Sequence, residues 1–326
     1  MLIFFKNERN IIMTTHTPMQ RRRKKRRKNT TLKTIRRFIL ILLIGLLAYA
    51  GYLYITAKQA AENMYTPLED QTTPEADGSF SALIIGVDQG GSRSTDGHGL
   101  SDALLHLTFN QETKKITLLS IPRDSYVYVP QRDHYTKITH AHAYGGPSYS
   151  LATVEHLLDS SIDYYAQVNF NVFVELVEAL DGIYVDVPFE MEEMDSTDSH
   201  DAIHLLAGEQ WLNGEEALAL ARTRKYDNDI ERGKRQQMIF TAIFDRLTNA
   251  TTLFKLDNMM SGVSQETKTN MPFTVMQKTG LHLLTGGYTI ERLNLTGQDL
   301  WTDAYYFELD QAQLNTVKTT IKQNLH

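Results

Sequence analysis

The chain contains no cysteine, which excludes a disulfide framework, thiolate zinc sites and cysteine nucleophiles. GxSxG and HExxH are absent too, so a serine esterase or zinc protease lacks its usual signature. Glycine and proline together make 19 + 8 = 27 of 326 residues, too few for a fibrous or disordered chain. Acidic residues are nearly missing from one end. Residues 1–37 hold 13 Lys/Arg and only Glu8, a net of +12, so with −6 overall the remainder carries −18.

The segment next to the basic end explains the split. Phe38 to Ala57 (FILILLIGLLAYAGYLYITA) is 20 residues without a charge. At about 1.5 Å per residue such a helix spans the roughly 30 Å hydrocarbon layer of a bilayer. The flank RRRKKRRK (Arg21 to Lys28) with Lys33, Arg36 and Arg37 belongs on the cytoplasmic side by the positive-inside rule. Ala48-Tyr49-Ala50 resembles a signal-peptidase site. It lies inside an apolar run longer than the roughly 7–15 residues of a signal core, which favours an uncleaved anchor. A nucleic-acid-binding tail is disfavoured, because no adjoining fold accompanies the basic run. The expected layout is a cytoplasmic tail (1–37), a transmembrane helix (38–57), an extracytoplasmic stalk (58–78) and one exported domain (79–326).

Within that domain strands and helices interleave. Ser81–Val87 reads as a buried strand, and Ala103–Phe109 with Lys115–Ile121 as a hairpin. Tyr149–Leu158, Val172–Leu180, Gly214–Arg222, Glu231–Leu247 and a segment from Asp310 read as helices. Tyr164–Phe170, Ile183–Val187, Thr289–Leu295 and Tyr305–Leu309 read as strands. The class is α/β: a mixed central sheet covered by helices on both faces, an αβα sandwich.

Several polar groups punctuate strand and helix ends. The loop Gly86-Val87-Asp88-Gln89-Gly90-Gly91-Ser92-Arg93 follows the first strand, where α/β sheets bind ligands, but matches neither a Walker loop nor GxGxxG. Asp88 and Asp102, separated by 13 residues, suit a hard cation such as Mg²⁺, or Mn²⁺. Ser120-Ile121-Pro122-Arg123-Asp124 closes a strand with a charged pair. Arg222, Arg224, Asp229, Arg232 and Gln236 crowd a helix end and the next helix start, and arginine forks suit phosphate oxygens. His140 and His142, with no third ligand beside them, read as surface residues.

These stretches resemble the LytR–CpsA–Psr family of cell-wall glycopolymer transferases. The resemblance covers about Ser81 to Leu309 and rests on ALIIGVD, SDALLHLTFNQETKKITLLSIPRDSYV, KITHAHAYGG, YYAQVNFNVFVELVEALDGIYVDVP and GEQWLNGEEALALARTRKYDNDIERGKRQQ, in that order. It implies an exported Mg²⁺-dependent phosphotransferase that moves a teichoic acid or capsule-type glycopolymer from a polyprenyl-pyrophosphate carrier to peptidoglycan. Position by position, Asp88 and Asp102 correspond to the metal pair. Arg93, Arg123, Lys137, Arg222, Arg224, Arg232 and Gln236 would bind the pyrophosphate, and Asp229 would assist the acceptor hydroxyl. Members often carry an arginine two residues before the second aspartate; this chain has Leu100, with Arg93 as the candidate substitute. The alternatives are a non-catalytic sensor of lipid-linked phosphates and a polyprenyl pyrophosphatase.

Overall fold

The computed structural model describes residues 30–68, 78–87, 98–197, 199–249, 263 and 266–325, with side chains from Lys33 onward. Two units divide between Ala50 and Gly51. The first contains most of helix α1 (Thr30–Met64), whose residues from Phe38 to Tyr52 are all uncharged and exposed. Among the described residues this is the one helix long and apolar enough to cross a membrane.

α1 runs seven residues into the expected stalk. Lys58–Met64 are good helix formers, and the helix stops before Thr66-Pro67. The residues just after the helix are fastened: Tyr65 bridges Thr269, and the Tyr165 hydroxyl donates to the Thr66 carbonyl at 2.8 Å.

The second unit is built on a six-stranded mixed sheet in the order β11-β6-β1-β2-β3-β12. Its strands are β1 (Ser79–Val87), β2 (Ser101–Asn110), β3 (Lys115–Ser120), β6 (Tyr164–Asn169), β11 (Lys268–Thr269) and β12 (Thr289–Asn294). β1 and β2, and β2 and β3, pair antiparallel, whereas β1 with β6 and β3 with β12 pair parallel. Alternation along β1 sends Leu83 and Ile85 to one face, against α2 (Ile138–Leu158) and the C-terminal helix α7 (Gln311–Leu325). Phe80 and Ala82 go to the other face, with Val275 of α6 (Phe273–Leu284) and Phe244 of α5 (Asp229–Leu247). Both faces are covered, as expected of the sandwich.

A third apolar cluster joins α3 (Phe170–Ala179), α4 (Gly214–Arg222), α5 and the antiparallel pair of β7 (Ile183–Val187) with β10 (Gly208–Leu212). Three further two-stranded ribbons lie outside the main sheet: β4 (Tyr126–Val129) with β5 (His134–Lys137), β8 (Met191–Glu193) with β9 (Ile203–Leu205), and β13 (Gly297–Trp301) with β14 (Tyr305–Leu309). The predicted strands Ile183–Val187 and Tyr305–Leu309 thus form, but in ribbons.

α2 begins eleven residues before the predicted Tyr149. Gly145 and Gly146 break its backbone geometry, and Gly146 has φ +64 with the His98 ring 3.1 Å from where a Cβ would stand. The Gly-Gly-Pro interruption hides the first half from a periodicity reading.

Candidate functional site

Four neighbouring strand ends define one edge of the sheet. β6 ends at Asn169 opposite Val87, the end of β1; Val87 in turn pairs with Ser101, the start of β2; and β3 ends at Ser120. Two helix starts abut this edge. The α2 N-terminus is tied down by Thr139, whose backbone N–H donates to the Arg123 carbonyl (3.2 Å) and whose hydroxyl donates to the Ser101 carbonyl (2.8 Å). α5 is capped by Asn228, which accepts from the N–H groups of Ile230 and Glu231. Its Gly233 lies against Ser120, whose Oγ is 2.6 Å from where a Cβ would sit, so only glycine allows this approach. The approach brings Arg232 to the edge.

Charged side chains converge there. Arg123 Nη1 pairs with Asp102 Oδ1. Lys137 Nζ lies 2.8 Å from Asp124 Oδ1, and Arg224 Nη2 reaches Asp229 Oδ1 at 2.9 Å and Asp124 Oδ2 at 3.8 Å. Arg232 Nη2 donates to Asp229 Oδ1 at 2.7 Å and to the Asp102 carbonyl at 3.4 Å. The Arg123 backbone N–H donates to Asp229 Oδ2 at 3.1 Å. Among the described residues four cations, Arg123, Lys137, Arg224 and Arg232, therefore meet three carboxylates, Asp102, Asp124 and Asp229, a sum of +1 within a region of −18.

The cluster is under-satisfied. Arg232 is 6% exposed, and burial pulls its guanidinium from the usual range down to about 10, against the attraction of Asp229. It stays a cation at neutral pH. Among the described residues, the buried Nε atoms of Arg123 and Arg232 have no hydrogen-bond partner. Arg123, Lys137 and Arg224 keep part of their side chains exposed at this edge, the kind of cationic donors an incoming phosphate group requires.

The remaining predicted residues are distributed around this centre. Arg222 lies over the Phe170 ring (4.9 Å), just beyond the end of β6, and donates to the Asp195 carbonyl at 3.3 Å. Gln236 donates to the Ala221 carbonyl at 3.4 Å, so its described bond is to the end of α4. Asp88 and Arg93 lie outside the described residues. Asp102 is a part-exposed carboxylate at the edge, the type of oxygen donor Mg²⁺ takes, but its described partner is Arg123, and among the described residues no group of three or more metal-ligating side chains gathers around it.

The structure adds residues that the sequence leaves without a role. Asp124 is the hub for Lys137 and Arg224. Tyr305 lies beside it, its phenol pushed up to about 12 by burial, by the hydrogen bond to Asp299 and by nearby negative charge including Asp124 and Asp229. His142 is buried rather than on the surface. Its Nδ1 sits 2.6 Å from the Gly99 carbonyl and its Nε2 3.3 Å from Gln167 Oε1, so it anchors the segment leading into Asp102. His140 does not share this role: its Nδ1 sits 2.8 Å from Thr136 Oγ1.

The same fold occurs in characterised proteins. Residues 51–323 match the model of the LytR_cpsA_psr family. Polyisoprenyl-teichoic acid–peptidoglycan teichoic acid transferase TagT of Bacillus subtilis (strain 168) is 37% identical over 254 residues, 76% of this chain and 77% of that protein. The crystal structure of B. subtilis TagV superposes with a TM-score of 0.68 at 34% identity, over 77% of this chain and 98% of the other. A structure of the family protein YwtF (TagT) with bound octaprenyl pyrophosphate lipid superposes with a TM-score of 0.61 at 33% identity, over 79% and 94%. The order of motifs, the mixed sandwich and these matches agree: the chain belongs to the LytR–CpsA–Psr family.

Proposed function

We propose that this protein is a membrane-anchored phosphotransferase that moves a teichoic acid-type glycopolymer from a polyprenyl-pyrophosphate carrier to peptidoglycan. The observation that carries the reading is the excess of cations among the described residues of one sheet edge in an otherwise acidic domain, with Arg123, Lys137 and Arg224 part-exposed there. A pyrophosphate supplies the negative charge that this excess lacks. The relatives support the substrate class: the named transferases act on polyisoprenyl-linked teichoic acid and peptidoglycan, and one structure holds a polyprenyl pyrophosphate.

In this reaction an acceptor hydroxyl of peptidoglycan attacks the phosphorus that carries the glycan. The new P–O bond is the phosphodiester link, the broken one is the bond to polyprenyl phosphate, and the hydroxyl proton goes to Asp229. Arg123, Arg224 and Arg232 hold the pyrophosphate oxygens and stabilise the charge that grows on the leaving phosphate. Lys137 and Arg222 extend the cationic wall, and Gln236 steadies the helix end that presents Arg222. Mg²⁺, held by Asp88 and Asp102, would neutralise phosphate charge when bound. The N-terminal apolar helix fits a single-pass anchor. The basic tail then stays in the cytoplasm and the acidic domain faces outward.

The decisive assay uses the full chain in detergent with a short lipid-pyrophosphate-linked glycan, peptidoglycan oligomers and Mg²⁺. Phosphodiester-linked product is expected, along with its loss in Asp102→Asn at an unchanged melting temperature. Tight donor binding with no product and no released lipid phosphate would leave a sensor; lipid phosphate without linked glycan would leave a pyrophosphatase.

A further inference from the structure

A row of aromatic rings departs from the charged edge, and the transfer chemistry gives it no task. The β13–β14 ribbon is fastened to the site by its backbone: the Phe307 N–H donates to the Asp124 carbonyl at 2.9 Å, and Ser125 bridges Phe307. On this ribbon the rings of Trp301 and Tyr305 touch, with centroids 5.1 Å apart. Tyr305 and Tyr306 both flank Lys137, whose Nζ stands 5.6 and 6.0 Å from their centroids. Tyr306 continues to Tyr126 (4.8 Å), and Tyr126 to Tyr135 (5.4 Å), on the β4–β5 ribbon. Trp301 is 73% exposed, Tyr135 58% and Tyr126 37%, while Tyr306 between them is buried, so the row is open to solvent at its two ends and Tyr306 backs it from beneath. An exposed aromatic run of this kind needs a partner.

The chemistry around the rings selects the partner. Residues 297–309 hold Asp299, Asp303 and Glu308 and no Lys or Arg, a charge of −3. That ribbon repels a polyanionic glycopolymer and an anionic bilayer alike. Tyr305 and Tyr306 hydroxyls point to Asp299 (3.1 Å) and Asp303 (3.5 Å), so carboxylates rim the rings, which an acyl chain would avoid. Pyranose rings suit such a surface. Their axial C–H groups carry slight positive charge and lie on the negative faces of aromatic rings, while their hydroxyls and acetamido N–H groups donate to carboxylates. We propose that Trp301, Tyr305, Tyr126 and Tyr135, backed by the buried Tyr306, are the docking surface for the acceptor: a strand of N-acetylated amino sugars that delivers its hydroxyl to the phosphate site beside Lys137 and Asp124. The assignment of acceptor rather than another saccharide rests on the transferase reading above.

Trp301 reports on its own occupancy, because the chain has only one other tryptophan, Trp211. The experiment places full-length Trp211→Phe protein in detergent and titrates it with a neutral hexamer of β-linked N-acetylglucosamine. Trp301 emission is expected to shift saturably, and Tyr305→Ala in the same background should weaken the half-point about tenfold. In the transfer assay, Trp301→Ala should raise the half-saturating peptidoglycan concentration by a similar factor while donor half-saturation stays in place. Silent Trp301 emission at millimolar hexamer overturns the proposal even if the wild type transfers glycan. An equal shift with lipid-free teichoic acid overturns it as well, since the surface would then serve the donor. A saturable hexamer shift in a protein that transfers nothing keeps the saccharide surface and discards the transferase reading.

Discussion

Arg232 and Arg235 stand three residues apart on α5, and both are almost closed off from solvent, at 6% and 4% exposure. Arg235 is saturated. Its Nε donates to the Leu220 carbonyl (3.0 Å), Nη2 to the Thr223 carbonyl (2.6 Å) and to Asp227 Oδ1 (3.1 Å), and Nη1 pairs with Asp227 Oδ2. Arg232 shares Asp229 with Arg224 and leaves its buried Nε unpartnered among the described residues. One guanidinium closes the end of α4 against α5; the other holds charge in reserve. Partner saturation, rather than burial, is what sets the structural Arg235 apart from Arg232, the arginine proposed to bind phosphate.

The contrast is broken most directly at Arg235. Arg235→Ala strands Asp227 and two carbonyls, so we expect a loss of about 3–5 kcal/mol in urea denaturation of the full chain. Arg232→Ala should cost less stability. Equal destabilisation by both would mean that Arg232 is structural too.

Next in size is the catalytic counterpart. Arg232→Ala and Arg224→Ala are each expected to lower the transfer rate by on the order of 10²–10³, with donor binding reduced far less. Arg222→Ala, removing a group stacked on Phe170, should fall short of that. A donor affinity loss matching the rate loss would assign these arginines to ground-state binding alone.

How much of this is legible in the amino-acid sequence varies with the kind of signal. β1, β2 and β3 are apolar runs bounded by turn residues, and their limits stand within two residues of the expected ones. Arg123, Arg224 and Asp229 are legible because charge at a strand or helix end is conspicuous in the chain. Three things are not. Short ribbons such as Met191–Glu193 with Ile203–Leu205 carry no period to read. The use of Asp124 and Tyr305 depends on Phe307 pairing beside Ser125, a contact between residues 182 positions apart. Finally, Arg222 and Arg224 resemble one clamp in the chain, but Thr223 leaves helical geometry (φ −54, ψ 137) and sends Arg224 to Asp229 while Arg222 turns to Phe170.

A comparison of two buried histidines sharpens the same lesson at lower energy. His106 of β2 is fully buried, neither ring nitrogen has a partner among the described residues, and burial lowers it to about 4. It is neutral in the fold, whereas the unfolded chain takes up a proton below its ordinary value of about 6.5. Its contribution is therefore complete above about pH 6.5 and is lost as pH falls toward 4, by up to about 3 kcal/mol. His106→Leu should flatten the acid limb of a stability–pH curve; an unchanged limb would place the proton uptake elsewhere.

His142 is lowered too, chiefly by burial, but its hydrogen bonds to Gly99 and Gln167 oppose the shift. It holds the backbone three residues before Asp102, and so positions that carboxylate without touching substrate. Removing one such bond costs about 0.5–1.5 kcal/mol. His142→Ala should therefore raise the Mg²⁺ concentration needed for half-maximal transfer a few-fold, with the rate at saturating Mg²⁺ nearly restored. His142→Asn, which can still donate to the Gly99 carbonyl, should recover most of the difference. Chelation followed by stepwise return of Mg²⁺ gives both curves from one preparation. If His142→Ala lowers the melting temperature and the saturated rate while the Mg²⁺ half-point stays put, then His142 is a packing residue like His106, and the brace on Asp102 is refuted.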